Sequence, residues 1–284
     1  MRRLTRPFES PPPRVHATAI VDPTANLCEG VEIGPYAIVE AHARIGARTQ
    51  VLASAYVAAG TDIGSDCEVH MGAILGHTPQ IRGHRGPFGK LVIGDRTIIR
   101  EYATVHRGRA PGGDTTIGSD NFLLGACHVG HDCRIGDGTT IATGALLAGC
   151  VTVGDRAFIS GHVAIHQHVR IGALSMIRGM SGVGKDVLPF VIIAGVSDVA
   201  GINVVGMRRA GMSAEQRLNV RRAYGVLFRS GTNVSQGLER LRELPPNDEV
   251  GAWVSFAAAS TRGLCRPRSG ARQHGRDRTD QSEI

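Results

Sequence analysis

The chain has 284 residues, with 38 Gly but only 7 Phe, 4 Tyr and 1 Trp, and a formal net charge of +7. Hydrophobic residues at 42% and charged residues at 20% exclude an intrinsically disordered chain, and the glycine is too scarce for collagen. Six cysteines in a chain this long do not make a disulfide scaffold and point to a reduced, cytoplasmic protein.

Residues 1–14 read as an N-terminal extension. Met1-Arg2-Arg3-Leu4-Thr5-Arg6-Pro7 is basic without an apolar stretch behind it, and Pro11-Pro12-Pro13 follows, which argues against a signal peptide. No uncharged apolar run along the chain reaches the roughly 18 residues of a membrane span, so no stable membrane insertion is expected.

From residue 15 to about 190 one period dominates. Stepping by six from Val15 to Val183 visits 29 positions, and 27 are Val, Ile or Leu; only Pro87 and Pro111 break the series. Pairs such as Ile33-Gly34, Ile63-Gly64, Ile93-Gly94 and Ile135-Gly136 fall on it. A period of six is neither that of a helix nor that of an alternating strand, and it is the signature of a hexapeptide-repeat parallel β-helix. One aliphatic residue per hexad points inward, three hexads close one coil of 18 residues, and Gly or a small polar residue is expected at each tight corner. A narrow prism of this kind leaves no interior room for aromatic rings. The segments His77–Lys90 and Arg107–Thr115, which hold the two Pro exceptions, read as projecting loops.

The period then changes to a helical one, and residues 191–264 read as a small α-helical C-terminal domain. Ser213-Ala214-Glu215-Gln216 has the form of a capping box, Leu218, Tyr224, Leu227 and Phe228 offer an apolar face, and Ser230-Gly231 stops the helix. A second helix carries Leu238 and Leu241 and ends before Pro245-Pro246. A third starts at Asp248 and carries Val250, Trp253 and Val254. Residues 265–284 read as a disordered basic tail. From 191 onward there are 14 basic and 9 acidic side chains, against 18 and 16 before it, so the basic end suits an acidic partner: a nucleic acid, a membrane surface or an acidic protein.

Eleven of the twelve histidines lie between residues 16 and 168, and His106, His128, His131, His162, His166 and His168 cluster in the later coils. Residues 18 apart stack there, with coils about 4.8 Å apart. His131, Gly149 and Gln167 form one column, and Asp132, Cys150 and His168 form the next. A neutral imidazole beside a free backbone N–H suits acyl transfer: the ring takes the proton of a hydroxyl and the N–H holds the oxyanion. The rival is metal. Cys127-His128-x-x-His131-x-Cys133 offers four donors, but successive strand residues point to opposite faces, and only a site shared between chains would gather them.

Several segments closely resemble the acyl-[acyl-carrier-protein]–UDP-N-acetylglucosamine O-acyltransferases. They include Ile93-Gly94-Asp95-Arg96, Val105-His106-Arg107-Gly108, His128-Val129-Gly130-His131-Asp132-Cys133, Arg229-Ser230-Gly231 and Ser260-Thr261-Arg262-Gly263-Leu264. The likeness runs from about 15 to 264. It implies a left-handed hand for the β-helix, a mainly β fold and a homotrimer with its sites between prisms. It also implies transfer of a 3-hydroxyacyl chain from acyl carrier protein to the 3-hydroxyl of UDP-N-acetylglucosamine, the first step of lipid A synthesis. No cofactor is implied, since the donor carries its own phosphopantetheine, and neither a metal nor a nucleic acid takes part. Carried over by motif, His131 is the general base, Asp132 its orienting partner and Gly149 the oxyanion donor. Gln80, His128, His166, Gln167 and Asn203 match sugar-nucleotide contacts, and Arg208 and Arg209 match a basic pair near the nucleotide and the carrier. Gly179 falls where acyl length is gauged. The chain departs from the family pattern at Ile81-Arg82-Gly83, where an acidic residue and a Lys are usual, at Cys150 in place of a His, and at Val205 in place of a Glu. Acyl transfer to an amino-sugar nucleotide therefore stays open, as does a zinc-dependent hexapeptide-repeat enzyme.

Overall fold

The computed structural model describes residues 11–267. Most of the expected extension and tail, 1–10 and 268–284, lies outside them. The chain from Arg14–Val15 to Gly182–Val183 winds as a left-handed parallel β-helix of about ten turns. Its three faces stack eleven, nine and eight strands, and all but the last pairing of the first face are parallel. The register is regular: Val129 pairs with Leu147 and Leu147 with Ile165, a coil length apart. Two insertions interrupt it. Leu91 pairs with Thr61 and Thr115 with Leu91, so the coils holding the two predicted loops are 30 and 24 residues long.

Most strands have only two residues, far too few to hold alone, and each is fixed by the coils on either side. The inward aliphatics fill the prism: Ile45, Ile99, Leu123, Ile141, Leu147 and Ile159 are fully buried. Truncating one to Ala removes its transfer free energy and leaves a cavity, at about 2–5 kcal/mol. Phe122 and Phe158 lie outward on the first face, as the narrow interior requires.

The corners differ from expectation. Left-handed φ values near +60° are taken mostly by residues other than Gly, among them Tyr36, Arg48, Arg96, Asp132, Cys150 and Leu174. The glycine of an Ile-Gly pair serves another purpose, close approach between coils. A Cβ on Gly46 would come within 2.4 Å of the Gly64 carbonyl carbon.

Past the prism, Val191–Ala194 and Asp198–Ile202 form an antiparallel pair on the first face. Four helices follow: α1 (Val204–Arg209), α2 (Ala214–Arg229), α3 (Val234–Arg242) and α4 (Asp248–Ala258). The expected start and stop of α2, the end of α3 before Pro245-Pro246 and the start of α4 at Asp248 agree with these, while α1 was not foreseen. Leu218 is exposed, and Val220, Ala223, Tyr224 and Leu227 make the buried face of α2 instead. After α4 the chain returns to the prism. Ser260 donates to the buried Asp186 carboxylate, Asp186 N–H donates to Gly263 O, and Cys265 N–H donates to Asp186 O. Cys265 is buried and Arg266 bridges to Asp198, so these two residues belong to the closing strap and not to a tail. No helix among the described residues is long and apolar enough to cross a membrane.

Candidate active site

The corner between the second and third faces brings together the columns expected from the 18-residue spacing. Asp132, Cys150 and His168 hold the left-handed corner conformation, with φ of 58°, 62° and 63°. Cys150 N–H donates to His131 O at 2.8 Å, and His168 N–H donates to Gly149 O at 3.1 Å. His131 Nδ1 donates to Asp132 Oδ2 at 2.6 Å, and both side chains are mostly buried. With its proton on Nδ1, the neutral ring keeps a lone pair on Nε2. That atom lies against Gly149: a Cβ there would stand 2.5 Å from Nε2, so only glycine lets the imidazole come this close to the next coil. Among the described residues, no acceptor takes the Gly149 N–H.

Asp132 is held from three further sides. Its N–H donates to Thr115 Oγ1 at 2.8 Å, and Arg109 N–H donates to its Oδ1 at 3.0 Å. Cys150 Sγ lies 3.9 Å from its Oδ2. Burial, and next the Asp132 carboxylate, push the Cys150 thiol up from its ordinary value. Arg109 belongs to the projecting segment 107–115, which is tied to the other loop. His84 Nε2 meets Arg109 O at 2.8 Å, Gly89 N–H donates to Gly108 O, and Lys90 N–H donates to Asp114 Oδ1. The loop that carries Gln80 is thus linked to the carboxylate that orients His131.

A groove of about 710 Å³ opens beside this corner, lined by Gln80, His106, His128, His131, Gly149 and Gln167 with Leu146 on its floor. His128 Nδ1 pairs with Thr104 Oγ1 at 2.8 Å. His106 Nδ1 donates to Thr78 O at 2.7 Å, and the two rings lie 5.2 Å apart. Burial lowers the pKa of both, so each is neutral at neutral pH, and His106, whose one ring proton goes to Thr78 O, keeps a lone pair on Nε2. His106, assigned no role from the sequence, is buried in the groove wall; its place at the end of a strand, next to the Gln80 loop, was the signal available.

Other expected contacts lie elsewhere in this chain. His166 is exposed with its Nδ1 toward Gln167 O, and it does not line the groove. Gly179 sits at the opposite edge of the second face, 3.4 Å (from its would-be Cβ) to Gly161 O. Asn203 is buried as the N-cap of α1: its Oδ1 accepts from Gly206 N–H and its Nδ2 donates to Leu174 O. Arg208 and Arg209 are exposed in the last turn of α1. Asn203 and Arg209 border a second groove of about 730 Å³ on the first face, with Arg156, Phe158, Leu174 and Met176.

The cysteine–histidine stretch cannot gather around a metal within one chain. Cys127 and Cys133 point into the prism and are fully buried, which pushes both thiols up to about 12, while His128 and His131 face out. The donors that do meet are His131, Asp132 and Cys150.

Known proteins share this architecture. A family model described as "Udp N-acetylglucosamine O-acyltransferase; Domain 2" matches residues 186–265, and one for the bacterial transferase hexapeptide matches 114–149. An acyl-[acyl-carrier-protein]–UDP-N-acetylglucosamine O-acyltransferase of Halorhodospira halophila is 41% identical over 256 residues, covering 89% of this chain and 99% of the relative. One of Paraburkholderia phymatum is 43% identical over 260 residues with the same coverage. Among solved structures, the enzyme of Acinetobacter baumannii superposes with a TM-score of 0.84 at 35% identity, covering 89% of this chain and 99% of that one.

Proposed function

The chain belongs to the acyl-[acyl-carrier-protein]–UDP-N-acetylglucosamine O-acyltransferases, the enzymes of the first step of lipid A synthesis, and from that premise we propose how its own residues carry the transfer. The observation that carries the proposal is the His131–Asp132 pair set against Gly149 in an open groove.

The 3-hydroxyl of UDP-N-acetylglucosamine enters the groove, where Gln80, His128 and Gln167 orient the sugar. His131 Nε2 takes its proton as the oxygen attacks the carbonyl of a 3-hydroxyacyl thioester. Asp132 keeps the His131 proton on Nδ1 and stabilises the imidazolium that forms. The Gly149 N–H accommodates the oxyanion of the tetrahedral intermediate, a contribution of about 10²–10³ in rate for one such donor. Collapse forms the ester and releases the phosphopantetheine thiolate, which takes the proton back from His131. The thioester arrives on acyl carrier protein, so the chain needs no cofactor of its own.

Asn203, His166, Arg208, Arg209 and Gly179 do not reach this groove within one chain. A cytoplasmic homotrimer, in which the groove of one prism faces the first face and α1 of the next, accounts for their separation. Exposed apolar side chains on both faces, Ile74 and Leu146 on the second and Phe122 and Phe158 on the first, support such a contact. The division of labour is then a catalytic prism, 15–190, and a helical end, 191–264, whose basic surplus suits an acidic carrier. Asn203 in that arrangement shapes α1, and Arg208 and Arg209 present the charge.

The test is His131→Ala in the full chain, assayed with acyl carrier protein thioesters and both the 3-hydroxy and 3-amino UDP sugars. Turnover should fall by about 10³-fold or more, with the melting temperature nearly unchanged. Near-normal turnover removes His131 as the base.

A further inference from the structure

The corner that carries His131 gathers three different kinds of donor. A ring nitrogen of His131, a carboxylate oxygen of Asp132 and the Cys150 Sγ all lie within 4.8 Å of one another, each on a half-buried residue. They come from two adjacent coils, with Nδ1 and Oδ2 2.6 Å apart and Oδ2 and Sγ 3.9 Å apart. Around a tetrahedral ion with bonds of about 2.0–2.3 Å, ligand atoms stand about 3.5 Å from one another. The trio reaches that arrangement by opening the Nδ1–Oδ2 contact by roughly an ångström. One imidazole nitrogen, one carboxylate oxygen and one thiolate sulfur suit Zn²⁺ or Cd²⁺, and do not suit Mg²⁺.

We propose that this corner is a binding site for a thiophilic divalent cation, with Zn²⁺ as the type, and that the bound ion silences the base. The proton count shows how. In the free site the neutral His131 ring holds its proton on Nδ1 and its lone pair on Nε2, and Cys150 is a thiol. A cation on Nδ1 moves the single ring proton to Nε2, so the nitrogen that would take the hydroxyl proton already carries one. The thiol proton leaves to solvent, and the ion is held by one thiolate and one carboxylate. Arg109 Nε lies 3.9 Å from Asp132 Oδ2, but that side chain is 58% exposed and can turn into solvent as the cation enters. Cys67, Cys127, Cys133 and Cys265 are buried, which leaves Cys28, more than 100 residues along the chain from Cys150, as the other accessible thiol among the described residues.

The inhibitory half of the proposal rests on His131 as the base; the binding half does not. The full chain, freed of metal with a chelator, is titrated with Cd²⁺ while the thiolate-to-cadmium absorption band is followed. Transfer is assayed in parallel across Zn²⁺ concentrations, with Mg²⁺ as the hard-cation control. The expected result is one equivalent of band that is lost in Cys150→Ser and in Cys150→Ala. The Zn²⁺ needed to halve transfer should rise by about tenfold or more in both variants, since even an outer partner of a metal ligand is worth 10- to 100-fold in affinity. No band, or an equal band in both variants, overturns the site. A Cys150-dependent band with transfer untouched by Zn²⁺ overturns the inhibition. Failure of the base assignment is seen separately, as turnover surviving in His131→Ala without any metal.

Discussion

The prism and the helical end place their residues by different rules. In the prism a residue's neighbours lie one coil away along the chain, so His131, Gly149 and Gln167 meet because they are 18 apart. In the helical end, position depends on caps and on long returns. Ser213 and Asn233 start α2 and α3 with reciprocal capping boxes, and the Ser260–Cys265 strap comes back to Asp186 across 74 residues or more. A single-site change at the His131 corner of the prism should therefore act locally, on chemistry, while one in the helical end should act on stability.

The sharpest way to break this contrast is Gly149→Ala. The three atoms nearest to a Cβ at Gly149 all belong to the His131 ring, the first at 2.5 Å. The added methyl should push the imidazole aside and leave the coils in place. Turnover should fall by about 10²–10³-fold, with a melting temperature within a few degrees of the parent. A large loss of stability instead would show that this corner carries the fold as well as the chemistry.

The helical end is tested by where the chain stops. A chain ending at Pro267 keeps the strap. One ending at Leu264 loses the Cys265 N–H to Asp186 O bond, the Val199 N–H to Arg266 O bond and a buried thiol. At about 1 kcal/mol for each hydrogen bond plus the burial of a small side chain, the shorter chain should be less stable by about 2–4 kcal/mol, measured by denaturant titration. Equal stability of the two would return Cys265 and Arg266 to the dispensable tail expected from composition.

Much of the site was legible because the period of six fixes both the face and the coil of each prism residue. The Asp132–Cys150 neighbourhood followed from spacing alone, and it is now the proposed cation site. The corners were misjudged for a physical reason: stacked coils restrain the backbone enough to hold Tyr36, Arg96 or Leu174 at positive φ, where local preference alone would ask for Gly or Asn. His106 was passed over because its burial depends on Thr78, in an inserted loop whose path no periodicity describes. Short α1 was missed because six residues with one buried side chain, Met207, leave no amphipathic trace. Asn203 was matched to a sugar-nucleotide contact by motif, and its further role as the cap of α1 shows only once α1 exists.

The smallest expected effect is at Ser213, and it asks how far the two regions act as one. Gln216 N–H donates to Ser213 Oγ at 3.2 Å, and Ser213 N–H donates to Gln216 Oε1 at 2.8 Å, so Ser213→Ala removes one half of a reciprocal pair. The change should cost about 1 kcal/mol. Helix α2 buries Val220, Tyr224 and Leu227, and Arg170 of the prism stacks on Phe256 of α4 at 4.2 Å while donating to its carbonyl. Those ties join the helices to a coil beyond the one that carries His131, not to the His131 corner itself. Calorimetry of Ser213→Ala should therefore show a transition lowered by about 2–4 °C, as that cost implies for a protein of this size, with turnover at low temperature unchanged. Loss of turnover in the still-folded variant would mean that the start of α2 sets the geometry of the groove, and the separation between a catalytic prism and a stabilising end would not hold.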